Sequence, residues 1–113
     1  MKLDRGTNIN KQGKYAAVNM RRVRDIMHGP RSHEEKQKIK SALALLEKEA
    51  VLSYGLPFTY GEFFLIMLKD ECAYPALIAY ALKVQEFDKE YAEDIRQLAE
   101  RAGINNPWCK RPD

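Results

Sequence analysis

Hydrophobic positions recur along this chain with two different periods, and each change of period marks an element. Between Tyr15 and Val23, Ala16, Val18 and Met20 alternate with Tyr15, Ala17 and Asn19. Period-two alternation predicts a strand. His28-Gly29-Pro30 then breaks the chain. Ser32, followed three residues later by Glu35, has the form of a capping box. It opens a segment in which Ile39, Leu43, Leu46 and Ala50 form one stripe, with Ala42 and Leu45 beside it. That spacing predicts an amphipathic helix over 33–49. Residues 51–54 read as a short strand, and Gly55, Pro57 and Gly61 bracket a loop. The run Phe63-Phe64-Leu65-Ile66-Met67-Leu68, inside 62–69, is apolar on both faces and predicts a central strand paired with 51–54 in a hairpin. Asp70 is placed to cap a helix over 75–87, with Pro75 tolerated in its first turn. This helix is apolar nearly all round, which suits the centre of a core or an interface with a second copy. Asp88 starts a last helix with Tyr91, Ile95, Leu98 and Ala102 in its stripe and Gly103 as its stop.

These elements predict an α+β fold in the order β-α-β-β-α-α, a small three-stranded sheet packed against about three helices. With 113 residues the chain suits a single domain over 1–113. Its ends differ from its middle. Residues 1–14 form a polar arm rich in Gly, Asn and Lys, and residues 104–113 form a tail holding the one Trp, two Pro and two cations. Proline stiffens such a tail and an indole has much to gain by docking, so the tail is expected to be tied to the body.

Charge sharpens the picture. The net charge is +3, yet residues 1–31 carry eight Lys/Arg against two Asp, and the remainder is net acidic. A basic end points to an anionic partner, or to a solvated face with no partner. Apolar runs such as 63–68 fall far short of the ~20 residues that span a bilayer. The N-terminus has no apolar leader-like run, and two Cys make no disulfide framework. The expectation is a cytoplasmic protein without membrane contact.

Four constellations bear on chemistry. In the arm, Asn8, Asn10, Lys11 and Lys14 suit a phosphate cradle of backbone amides and ammonium groups, but Gly13-Lys14 opens a strand and lacks the spacing of a Walker loop. Arg21, Arg22 and Arg24 are oxyanion-binding side chains, or charges that protect a strand edge; on a strand, Arg22 and Arg24 share a face. Lys69 ends the predicted central strand, beside a capping Asp70. His28, His33, Cys72 and Cys109 have no metal-ligand spacing, and neither His is linked to Cys109 as a base. No catalytic residue, metal or cofactor is therefore expected. The unit 33–69 resembles the back half of a winged-helix domain, with Lys36, Lys38 and Lys40 left outside the core.

Three pieces carry a resemblance: Asn8-Ile9-Asn10 with Gly13-Lys14-Tyr15-Ala16; Glu62 to Ile66 with Leu68-Lys69-Asp70; and Leu98 to Gly103 running into Pro107-Trp108-Cys109-Lys110-Arg111-Pro112-Asp113. The chain resembles small uncharacterised phage and prophage proteins. The resemblance implies a non-enzymatic accessory factor that acts on a bacterial host, including its defence systems, and carries over no catalytic residue. Two functions follow as expectations. One is binding of an anionic ligand, a nucleotide signal or nucleic acid, at Asn8, Asn10, Lys11, Lys14, Lys69, Lys110 and Arg111. The other is inhibition of a host defence (CRISPR-type) or replication complex through Tyr54, Phe58 and Tyr60 in the hairpin loop. A winged-helix-like DNA-binding protein is a further alternative.

Overall fold

The computed structural model describes residues 15–112, and their regular structure is helical. Four α-helices follow one another: α1, Met20–Met27; α2, His33–Lys48; α3, Ala73–Val84; and α4, Lys89–Ala99, with a 3₁₀ turn at Gly103–Asn105. The expected α+β fold is thereby corrected. Among the described residues the one β contact is an isolated parallel bridge between Asp70 and Lys110. The segments 15–23, 51–54 and 62–69 form no strands, and the hairpin needed for a winged-helix likeness is not formed.

The chain divides into two compact units, one spanning 17–64 and one built mainly from 65–112. In the first, the alternation that read as a strand is interrupted by Asn19. Its side chain accepts a hydrogen bond from the Arg22 amide at 2.9 Å and so caps α1. Once the segment is helical, Val23, Ile26 and Met27 share a side, and all three are half-buried. Helix α2 starts as the sequence predicts, with the Glu35 amide donating to Ser32 Oγ at 3.2 Å. It ends one residue earlier than predicted. The Val51 amide reaches back to the Leu46 carbonyl at 2.9 Å and the Ala50 amide to that of Glu47 at 3.1 Å. This is a Schellman stop, and it puts Ala50 at φ 60, out of the stripe and in a conformation usually left to Gly. No residue of α1 or α2 is buried.

In the second unit α3 and α4 pack together and make the core. Ala81, Val84, Ala92 and Ile95 are buried, with Leu77 and Tyr91 packed against them. Ala73, Ala99 and Ala102 extend the same seam. Small residues on the facing sides let two helices approach closely, which is why Ala dominates this core. Asp88 caps α4 by accepting from the Tyr91 amide at 3.0 Å. Tyr80 and Tyr91 meet edge to face with centroids 6.2 Å apart. Helix α3 is less central than its composition suggests: Leu82 on its far side is exposed, and Tyr80 at the edge of the seam is half exposed. Pro75 lies in its first turn, where the amides have no partner within the helix.

Candidate functional site

Two of the expected sites can be located. The first is the tail, in the unit of α3 and α4. Asn106 organises it: its Nδ2 donates to the Arg101 carbonyl at 2.8 Å and its Oδ1 accepts from the Trp108 amide at 2.9 Å. The chain then runs beside the entry to α3. The Lys110 amide donates to the Lys69 carbonyl at 2.9 Å, and the Glu71 amide to the Lys110 carbonyl at 2.8 Å. The tail is held by its backbone. Trp108, expected to dock, is 75% exposed.

This pairing brings Lys69, Lys110 and Arg111 to one place. It brings acids there too: Arg111 Nε lies 3.5 Å from Glu71 Oε2, and Asp70 stands between. Asp70 does not cap α3 in the expected way. Its Oδ1 accepts from the Cys72 amide at 2.7 Å, an Asx turn that precedes the helix. Desolvation, then the Asp70 carboxylate, then Glu71 push the Cys72 thiol above its ordinary value, which makes it a poor nucleophile at neutral pH. Gly103 closes the same corner. Its amide donates to the Leu68 carbonyl at 2.7 Å, and its φ is +55. A Cβ there would lie 2.8 Å from Tyr74 Cβ, so both the conformation and the space require Gly. Helix α4 itself stops earlier, at Ala99.

The second site is the loop 53–63, in the unit of α1 and α2. It is closed by short-range bonds. The Gly55 amide donates to Ser53 Oγ at 3.4 Å, Thr59 Oγ1 to the Leu56 carbonyl at 2.6 Å, and the Phe58 amide to Glu62 Oε1 at 3.2 Å. Gly55, at φ +59, lies against the Phe63 ring, where a Cβ would collide with the ring carbons. Phe58 takes φ 64, left-handed and strained for a bulky side chain. At the tip Phe58 and Tyr60 are 101% and 109% exposed, whereas Tyr54 is 36% exposed and lines a cleft of about 450 Å³ with residues of α1 and α2.

The remaining candidates separate. Asn8, Asn10, Lys11 and Lys14 lie outside the described residues. Arg21, Arg22 and Arg24 are on a helix, so Arg21 and Arg24 share a face and the expected pairing of Arg22 with Arg24 is lost. Among the described residues no group of His, Cys, Asp and Glu is arranged to hold a metal ion, and no helix is long and apolar enough to cross a membrane. The sequence reading missed the strained backbone of Phe58; the neighbouring Pro57 and Gly61 were the available signal. In comparisons with known proteins, no family model, no curated protein and no solved structure matches this chain.

Proposed function

We propose that this protein is a non-enzymatic binding protein that acts by protein–protein contact, with Phe58 and Tyr60 as its anchors. The observation that supports this reading is the loop 53–63. Two fully exposed aromatic rings are displayed on a backbone tied down by its own hydrogen bonds, with a left-handed Phe58 at the tip. Strain of that kind persists where function uses it, and rigid aromatic anchors dominate interface energies. Tyr and Phe lose little side-chain entropy on binding, so an ordered loop is a favourable place for them. Together with the resemblance to small phage proteins, the reading makes the partner a protein complex of a bacterial host cell, met in the cytoplasm. A tagged wild-type protein should capture a host complex from lysate in a form that survives nuclease and moderate salt. The Phe58→Ala/Tyr60→Ala variant should lose that capture by tenfold or more with its melting temperature unchanged. Undiminished capture by the variant would remove the loop from the binding surface.

A second reading, an anion site at Lys69, Lys110 and Arg111, is supported by the tail bridge, which joins the backbones of Lys69 and Lys110 next to Arg111. Asp70 and Glu71 at the same corner weaken it. Nucleotides, cyclic dinucleotides and short nucleic acids tested by thermal shift decide the matter. A rise of several degrees that Lys110→Ala/Arg111→Ala abolishes would favour this reading over the first.

A further inference from the structure

We propose that the outer face of α2 is a self-association surface, which pairs antiparallel with α2 of a second copy. The helix is amphipathic, and among the described residues the cleft against α1 is lined by its Lys40, Leu43, Ala44 and Glu47. On the opposite side of the helix, Lys38, Ala42, Leu45 and Glu49 follow one another at spacings of four, three and four residues. This is the alternation that brings one helix face against another helix. Leu45 is 58% exposed, and neighbouring Leu46 is 38% exposed.

The charges choose the occupant. Lys38 and Glu49 end the stripe, eleven residues or about 16 Å apart along the axis. In an antiparallel two-fold pair the register that sets Ala42 against the partner's Leu45 also sets Lys38 against the partner's Glu49. Both contacts occur twice, as an isologous interface requires. The small Ala receives the large Leu, and Ile39 comes beside the partner's Leu46. A parallel pair would oppose Lys38 to Lys38 and Glu49 to Glu49, and like charges there are repulsive. The face is thus complementary to itself in one orientation. The inference does not depend on the loop reading. If both hold, the dimer carries two Phe58–Tyr60 loops and its avidity for a repeated target rises accordingly.

The test is sedimentation equilibrium of the full chain over a wide concentration range, with far-UV circular dichroism as a check on helix content. Wild type should be in monomer–dimer equilibrium. Lys38→Glu alone and Glu49→Lys alone should each weaken the dimer tenfold or more at unchanged helix content. An equimolar mixture of the two variants, and the double variant, should restore it. Lys38 also pairs with Glu34 in its own helix at 3.5 Å, but that pair is exposed and its loss is small. A wild type that stays monomeric overturns the proposal. So do single variants that associate as well as wild type, and a mixture that associates more tightly than wild type, which is the signature of the parallel pair.

Discussion

Helices α3 and α4 bury a core; α1 and α2, in the other unit, bury no residue at all. The contrast does not come from the connections, which are short in both: residues 85–88 in one and 28–32 in the other. Nor does it come from caps, since Asn19, Ser32 and Asp88 each hold a helix start by a side-chain bond. It comes from length and side-chain size. Helix α3 has 12 residues and α4 has 11, and their facing sides carry Ala73, Ala81, Ala92 and Ala99. Helix α1 has only 8 residues, and what it offers α2 is Val23, Ile26 and Met27 on barely two turns. Meanwhile the apolar residues of α2 spread from Leu43 round to Leu45, too wide an arc for one short neighbour to cover. Good helix signals make helices; close approach over enough turns makes a core.

The sharpest way to break this comparison is to cut both regions alike. Ile95→Ala removes a buried branched side chain and should cost about 3 kcal/mol, within the range for such truncations. Leu46→Ala, on the exposed side of α2, should cost less than about 0.5 kcal/mol in the monomer. Urea unfolding of both variants measures the difference. Equal losses would mean that α2 contributes to the same cooperative core.

The corner that ties the tail to α3 comes next. Gly103→Ala forces an L-residue into the left-handed region, at about 1–2 kcal/mol, and adds the contact with Tyr74. The expected loss is about 2 kcal/mol, seen as a lower thermal midpoint. Ala50→Gly, at the matching left-handed stop of α2, should have the opposite sign. It relieves strain and should stabilise the end of α2 by about 1 kcal/mol. Slower hydrogen exchange at the Val51 amide, which bonds to Leu46, is the readout.

The caps and the longer helical patterns were legible in the sequence because their signals are local. Ser32 and Asp88 announce helix starts by side-chain chemistry, and the patterns of α2, α3 and α4 each run for three turns or more. The sheet was misread for the opposite reason. Residues 15–23 offer only nine positions, too few for the alternation of Ala16, Val18 and Met20 to be decisive, and the helix stripe of Val23, Ile26 and Met27 runs on past them; Asn19 starts the helix through one hydrogen bond. The run Phe63–Leu68 has strand composition, but a strand needs a neighbour and the described residues supply none. Instead its end turns, with the Asp70 amide bonded to the Met67 carbonyl. At the candidate sites, the tail's attachment was expected, though through Trp108 rather than Asn106 and the backbone. The strained display of Phe58 depends on Glu62 reaching back to its amide, and composition does not encode that reach.

The smallest effect probes order at the entry to α3. Asp70 acts on Cys72 in three ways: its carboxylate accepts the Cys72 amide bond, and its charge and its hydrogen bond with the thiol both help raise the thiol above its ordinary value, after desolvation. Asp70→Asn keeps an oxygen acceptor for the turn and removes the charge. A raised thiol holds less thiolate at a given pH, so removing one cause of the rise should increase thiolate and speed alkylation. In a Cys109→Ser background, iodoacetamide should therefore label Cys72 a few-fold faster in the Asp70→Asn protein at pH 8, and its rate should climb at lower pH than in the Asp70 protein. The two rates should converge at high pH, where both thiols are ionised. A variant that labels faster even there would be reporting a loosened helix start, not a changed charge. Acceleration confined to lower pH would show that this corner keeps its geometry when its charge is changed, in keeping with the packed half of the comparison.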